Sequence, residues 1–159
     1  MRVLSAILLS FILVASSACA ASHEEKNTMA LGEISQQQLV TNYRAFQDGY
    51  QKFQLSKAEI NQIKRWPDDL HIDVYFGSWC HDSEREVPRF LKMMAENSTL
   101  SNRLIGLNYD KLEPGGSAKK HEISYTPTFV VYQNNREIGR IIERPNVSLT
   151  ADISAMLTK

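Results

Sequence analysis

The apolar residues of this chain follow two different spacings, which separate a helical segment from a segment that contains strands. Between residues 35 and 66 they recur every three or four positions, as expected of helices that bury one face. These residues are Leu39, Tyr43, Phe46, Tyr50, Ile60 and Ile63. Ser35 is positioned to cap the first helix, and Ser56-Lys57-Ala58-Glu59 has the capping-box pattern that opens a second one.

Beyond Pro67 the apolar spacing shortens to two, which is typical of a β-strand over residues 70–76. Gly77-Ser78 interrupts that strand, and a helix with one apolar face is predicted from there to Asn97. Later segments are predicted as strands at 103–109, 128–133 and 137–142, a loop with a short helix at 114–123, and a helix at 149–157. This order predicts the α/β class, with a central mixed β-sheet flanked by helices on both faces and an N-terminal helical extension.

The first twenty residues have the layout of a secretory signal peptide. Arg2 supplies a positive start, an apolar run covers residues 3–15, and small residues follow. The apolar run is short for a membrane span. Two processing routes stay open, namely cleavage after Ala20 or acylation of Cys19, since Ser17-Ala18-Cys19 resembles a bacterial lipobox. We expect an exported, periplasmic protein that is either soluble or attached to the membrane as a lipoprotein.

Size and composition indicate one globular domain after the signal peptide. The chain has 159 residues, of which 43% are hydrophobic and 23% charged, and its formal net charge is zero. A formal net charge of zero does not favour nucleic acid as a partner, so we expect no nucleic-acid partner. We predict a signal peptide at 1–20, a flexible polar leader at 21–34, and a domain at 35–159. Residues 35–66 form the extension of that domain, and residues 70–159 form its core.

Cys80 is the candidate reactive residue. It follows Trp79 at a junction between a strand and a helix, where backbone N–H groups and the helix dipole favour the thiolate form. Either processing route removes or lipidates Cys19, so the mature chain is expected to have Cys80 as its one thiol. His81 lies beside Cys80, but two adjacent ligands without a distant pair do not make a metal site, and we expect neither metal nor cofactor.

Three segments resemble the thioredoxin family. Residues 73–83, which end in Trp79-Cys80-His81-Asp82-Ser83 and are followed by Pro88, are similar to the family's active-site strand and helix. Leu107-Asn108-Tyr109-Asp110 with the Pro-Gly-Gly that follows is a second match, and Tyr125-Thr126-Pro127-Thr128-Phe129 resembles the cis-proline loop. The resemblance covers residues 70–159 and implies a thioredoxin-like fold.

The resemblance also implies roles for individual residues. It makes Cys80 the nucleophile, assisted by Ser83 in place of the family's second cysteine. Thr126 and Pro127 become the platform for the substrate backbone. Trp79 covers the site, and His81 flanks it as a further substrate-binding residue.

Three positions depart from the family's pattern, and all three concern the second cysteine of the motif and the residues that assist it. Ser83 stands where the family has its second cysteine, Val74 where it has a buried acid, and Gly106 where a lysine often accompanies that acid. A serine hydroxyl can donate a hydrogen bond to a thiolate but cannot attack a mixed disulfide. Asp73 is a poor substitute for the acid, because neighbouring residues of a strand point to opposite faces. These departures indicate that the protein has lost the second step of the reaction, in which its own second cysteine would attack the mixed disulfide and release the client.

Two functions follow as alternatives. In the first, Cys80 acts in monothiol disulfide exchange on client proteins, as an oxidoreductase, an isomerase or a deglutathionylating enzyme, and glutathione or another thiol resolves the mixed disulfide. In the second, the protein is a redox-inactive module that binds a peptide or a partner protein beside Trp79, Pro127 and Phe129.

Overall fold

A twisted five-stranded sheet forms the centre of the computed structural model, which describes residues 28–158. The strands are β1 (Gly32–Ile34), β2 (Leu70–Phe76), β3 (Ser101–Gly106), β4 (Thr128–Gln133) and β5 (Arg136–Ile142). Their order across the sheet is β1-β3-β2-β4-β5. β2 is parallel to β3, and every other pair is antiparallel. The predicted mixed sheet with flanking helices is confirmed.

Within the described part of the chain, six helices accompany the sheet. They are α1 (Gln36–Asn42), α2 (Arg44–Lys52), α3 (Lys57–Ile63), α4 (His81–Met94), α5 (Ser117–Lys120) and α6 (Leu149–Leu157). Ser35 and Ser56 both form capping boxes, with Gln38 and Glu59 as their partners, because each serine hydroxyl accepts from the backbone N–H three residues later. Between residues 28 and 158 no helix has the length and apolar character needed to cross a bilayer.

The first predicted helix is divided in two at Tyr43. This residue has an extended backbone, with φ −127° and ψ 103°, and it ends α1 and begins α2. Its hydroxyl donates a hydrogen bond to the carbonyl of Thr28 at 3.1 Å. The apolar spacing continues across the break, since Leu39 and Phe46 are both fully buried, and for this reason the sequence pattern did not reveal it.

The end of the predicted leader contains a strand that the sequence pattern missed. Gly32–Ile34 pairs antiparallel with Leu104–Gly106 at the edge of the sheet. Three residues are too few to show an alternating pattern, so tertiary pairing decides this strand. The predicted signal peptide with Cys19, and leader residues 21–27, lie outside the described residues. Two boundaries also differ, since α4 ends at Met94 and β3 at Gly106.

The long helices cover one face of the sheet. The main hydrophobic cluster combines alternate residues of the strands, among them Val74, Phe76 and Phe129, with the buried sides of α1 to α4 and α6. The opposite face has a smaller cluster around Tyr75, to which the four-residue α5 contributes Ala118. Because the helical extension packs into the main cluster, it is part of the same folded unit as the strands.

Asp73, Arg103 and His71 form a group of ionic interactions on the same face of the sheet as the smaller cluster. Asp73 is 2% exposed and accepts from Arg103 at 2.6 and 2.8 Å, and it lies 2.9 Å from His71 Nε2. Burial alone raises the pKa of Asp73, but hydrogen bonds from His71 and Arg103 and their charges outweigh it and lower the pKa to about 2.

Candidate active site

Cys80 lies at the N-cap of α4, directly after the central strand β2 and a short turn. Its backbone is extended, with φ −100° and ψ 121°, and its carbonyl accepts the first hydrogen bond of the helix, from Glu84 N at 2.9 Å. The side chain is half-buried and has no disulfide partner among residues 28–158. A partly exposed sulfur at a helix N-terminus is where a thiolate gains from the backbone dipoles.

The loop of Thr126 and Pro127 faces this sulfur, as the resemblance implies. The peptide bond between them is cis. Cys80 Sγ–H donates to the carbonyl oxygen of Thr126 at 3.1 Å, although the two residues are 46 positions apart in the chain. Glu143 N–H donates to the carbonyl of Pro127 at 2.7 Å and ties the loop to the end of β5. The structure therefore brings Cys80, Thr126 and Pro127 together.

Trp79 is held beside the cysteine by a backbone carbonyl. Its indole N–H donates to Leu107 O at 3.0 Å, and its ring lies against Gly77. A Cβ atom at Gly77 would come within 2.7 Å of that ring, so only glycine fits there. These contacts place the Trp79 ring along one side of the site.

Two residues beside Trp79 had no predicted role. Tyr109 stacks on the indole with ring centroids 4.6 Å apart, and Lys111 Nζ lies 4.7 Å from the Trp79 ring centroid. Tyr109 is 64% exposed, so this stack presents aromatic surface to solvent next to the cysteine. The only sequence signal was that Tyr109 belongs to one of the family-like segments; its stacking depends on the loop after β3.

Ser83 and His81 differ in their surroundings. Ser83 is fully buried, and its hydroxyl oxygen accepts from Gly77 N–H at 3.2 Å. The hydrogen bond of the Cys80 thiol goes to Thr126 instead. His81 is exposed to solvent, and its ring nitrogen Nδ1 lies 3.0 Å from Glu84 Oε2. Ser83 thus supports the turn before Cys80, whereas His81 lies on the outer surface.

The acidic residues of the first turn of α4 have partners. Asp82 lies 2.6 Å from Arg85 Nη1, and Glu84 is the neighbour of His81. Pairing Asp82 with a guanidinium offsets its repulsion of a thiolate at Cys80. The first turn therefore keeps carboxylates that interact favourably with the helix dipole, at reduced electrostatic cost to the sulfur.

Val74 and Gly106 stand at the positions where the family has its buried acid and, often, a lysine, and their surroundings do not suit those side chains. Val74 lies in the main hydrophobic cluster, and Asp73 points to the other face, toward Arg103. At Gly106 an added Cβ would meet the backbone carbonyl oxygen of Ala30 at 2.5 Å. Ala30 N–H in turn donates to Ser78 Oγ at 2.9 Å. The segment that leads into β1 thus fills the space into which a longer side chain at 106 would extend.

This segment also shapes an open groove of about 370 Å³ along the Trp79 side of the site. Its walls include Met29, Tyr43, Arg44, Trp79 and Tyr109. The groove joins the helical extension to the turn before Cys80, which supplies Ser78 and Trp79 to its wall. Within residues 28–158 no group of three or more potential metal ligands occurs.

Comparison with known proteins agrees with this geometry. A family model described as thioredoxin matches residues 29–153. A thioredoxin of Echinococcus granulosus is 28% identical over 75 residues, which are 47% of this chain and 66% of the relative, slightly under two thirds of its length.

Two solved structures are similar in fold. A protein of unknown function from Pseudomonas aeruginosa superposes with a TM-score of 0.58 at 15% identity, over 72% of this chain and 82% of that one. An HIV epitope scaffold gives a TM-score of 0.56 with the same identity and coverages. At this identity the two structures show the shared fold alone.

Proposed function

The chain belongs to the thioredoxin family, and from that premise we propose that it is an exported monothiol protein of disulfide exchange with Cys80 as nucleophile. The carrying observation is the position of Cys80 at the N-terminus of α4, opposite the loop with the cis Thr126-Pro127 bond. Members of this family interact with cysteine-containing client proteins. We place its clients in the periplasm, with the protein either free or attached to the membrane through Cys19.

The proposed reaction has two exchange steps. The Cys80 thiolate attacks one sulfur of a client disulfide or of a glutathione mixed disulfide, and the S–S bond breaks as the other sulfur leaves as a thiolate. A second thiol, from the client or from glutathione, then attacks the mixed disulfide and releases Cys80 as a thiolate. Ser83 cannot take the place of that second thiol. The net reaction is therefore isomerisation or transfer of glutathione to a second glutathione.

The test is turnover of a glutathionylated peptide with glutathione as the second thiol. We expect Cys80→Ser to reduce the rate to that of the uncatalysed reaction. Ser83→Ala is the matched control, because it changes the same turn, leaves the sulfur in place and should retain most of the activity. Equal rates for Cys80→Ser and the unaltered protein would exclude Cys80 as the nucleophile.

A second candidate function is supported by the hydrogen bond of the Cys80 side chain. The Cys80 thiol donates a hydrogen bond to the Thr126 carbonyl, a contact that a thiolate could not make. A redox-inactive binding module would use the stack of Trp79 and Tyr109 and the groove beside it. The rate of Cys80 alkylation against pH separates the two functions: reaction well below the titration range of an ordinary thiol favours exchange, and slow reaction across that range favours the binding module.

Export has its own test. Mass spectrometry of the protein from its own cells should show either an N-terminus at Ala21 or a diacylglyceryl modification of Cys19. An N-terminus at Met1 would contradict both routes.

A further inference from the structure

Three side chains are joined by hydrogen bonds near the start of β2, at the opposite end of that strand from Cys80. His71 Nδ1 lies 2.7 Å from Ser101 Oγ, and His71 Nε2 lies 2.9 Å from Asp73 Oδ1. Because β2 and β3 are parallel and in register, His71 stands directly beside Ser101. A serine, a histidine and a carboxylate joined in this order form the arrangement that activates a serine hydroxyl as a nucleophile.

The neighbours of His71 assign the proton of its neutral ring. Burial raises the pKa of Asp73, but hydrogen bonds from His71 and Arg103 outweigh it, and with a pKa of about 2 the carboxyl is ionised at neutral pH. An ionised carboxylate only accepts, so Nε2 carries the ring proton and Nδ1 presents a lone pair. Ser101 O–H therefore donates to Nδ1, which is the direction of proton transfer from a nucleophile to its base.

The carboxylate that orients His71 is itself held in place. Asp73 is 2% exposed and accepts from Arg103 Nε at 2.8 Å and from Arg103 Nη2 at 2.6 Å. Arg103 stands opposite Asp73 in the register of β2 and β3. On the β4 side, the Tyr132 ring centroid lies 6.0 Å from that of His71. The His71 ring is thus bounded by Asp73, Ser101 and Tyr132.

Ser101 is open to solvent. It is exposed at the first position of β3, and the His71 side chain is 30% exposed. The short helix α5 covers the other end of this face, where Ser117 Oγ lies 2.6 Å from the Tyr75 hydroxyl. Tyr75 is four residues beyond His71, which is roughly 13 Å along a strand. A small reagent therefore has access to Ser101 Oγ from solvent.

We propose that Ser101 is a site of acyl modification, with His71 as its general base and Asp73 as the residue that orients His71. The acyl donors are small activated esters, since an exposed serine on a sheet admits an unhindered carbonyl carbon. Ser101 Oγ attacks that carbon while its proton passes to His71 Nδ1, and the bond from the carbon to the leaving oxygen breaks. His71 then gives the proton to the leaving oxygen, and Ser101 retains the acyl group as an ester.

The experiment treats the unaltered protein with p-nitrophenyl acetate and follows acetylation of each residue by tandem mass spectrometry. Ser98 is the internal control, because it is also exposed, lies three residues before Ser101 and has no hydrogen bond to a histidine among residues 28–158. We expect Ser101 to be acetylated at least about tenfold faster than Ser98, since a positioned base typically contributes about 100-fold or more. A ratio below about tenfold would overturn the proposal. Reaction at Cys80 is recorded on a different tryptic peptide.

His71→Gln tests the base, since glutamine keeps hydrogen-bonding groups but takes up no proton. The rate at Ser101 should fall to that at Ser98, and an unchanged rate contradicts the assignment. Asp73→Asn tests the orienting role: its amide N–H donates to Nε2, so the ring proton moves to Nδ1, which no longer accepts from Ser101. This variant should slow Ser101 by about tenfold or more and leave Ser98 unchanged. If either variant does not fold, the ratio of Ser101 to Ser98 in the unaltered protein still decides the question.

Discussion

Cys80 and Ser83 stand three residues apart at the start of α4, and their side chains have different partners. The sulfur faces the Thr126 carbonyl, whereas the serine oxygen accepts from Gly77 N–H. Ser83 is therefore engaged in holding the turn that presents Cys80. Val74, in the main cluster, cannot accept a proton, so the residues around the motif support one thiol only.

Ser83→Cys should convert this site to a dithiol. We expect the variant to gain measurable reduction of insulin, because the new thiol can attack a mixed disulfide on Cys80. The rate should stay below that of thioredoxins that have the buried acid, since Val74 supplies no proton acceptor. Ser83→Ala is the control and should show no reduction. Absence of activity in a folded Ser83→Cys protein would mean that the buried position of residue 83 prevents attack.

Asp73 is expected to make stability depend on pH. Its folded pKa of about 2 lies below the ordinary value of 3.8, so its stabilising effect is present above about pH 4 and is lost as the pH falls toward 2. Asp73→Asn should lower the free energy of unfolding by roughly 1–2 kcal/mol at neutral pH and by much less near pH 2. Urea unfolding at the two pH values measures this. The exposed Asp110→Asn is the control and should show no such difference.

At the scale of elements, the short strand β1 has more influence on the site than its length suggests. The segment that leads into it contacts Ser78, next to Trp79, and covers Gly106 at the end of β3. The backbone of Ala30 thus leaves no room for a side chain at position 106, where a lysine often occurs in this family. The helical extension also reaches the site, since Tyr43 binds Thr28 and lines the same groove as Trp79.

Gly106→Ala should displace that segment. The added Cβ would lie 2.5 Å from the carbonyl oxygen of Ala30, and backbone cannot move aside as a side chain does. We expect a loss of about 2 kcal/mol in the free energy of unfolding, measured by urea denaturation.

Gly115→Ala is the matched control for this variant. Its Cβ would lie 2.8 Å from the end of the Glu113 side chain, which can move at the cost of its hydrogen bonds from Gly115 N and Ala118 N, so we expect a smaller loss. Equal losses in the two variants would show that the Ala30 segment yields as easily as a side chain.

On the scale of the whole molecule, the extension and the sheet share one hydrophobic cluster. Phe46 of α2 is fully buried and packs edge-on against Phe76 of β2 with ring centroids 5.6 Å apart. Gly49 lets α2 approach α4 closely, since an added Cβ there would meet the Pro88 ring of α4 at 2.9 Å. We therefore expect the protein to unfold as one cooperative unit.

Phe46→Ala tests this unity. We expect a loss of about 3–5 kcal/mol in the free energy of unfolding, with circular dichroism and tryptophan fluorescence reporting the same transition. Tyr109→Ala removes an exposed ring of similar size and should cost less than about 1 kcal/mol. Two separate transitions in the unaltered protein would show instead that the extension folds independently of the sheet.

The sequence by itself determined the elements with strong local signals. Ser35 and Ser56 begin helices as predicted, and Ser148 caps the predicted last helix, because capping depends on residues within one turn. Asn134 and Asn135 both have positive φ in the turn between β4 and β5, as their side chains allow. The family and the fold class could be predicted from the same local segments, and so could the place of Cys80 at a strand-to-helix junction.

Only the tertiary structure decided which distant residues meet. The contact of Cys80 with Thr126, the stack of Trp79 on Tyr109 and the closure of Gly106 by Ala30 each join residues far apart in the chain. The break at Tyr43 and the strand β1 belong to the same class, because both depend on partners supplied by other segments. The spacing of hydrophobic residues predicts which side of a helix or strand is buried, but it does not predict which other segment packs against that side.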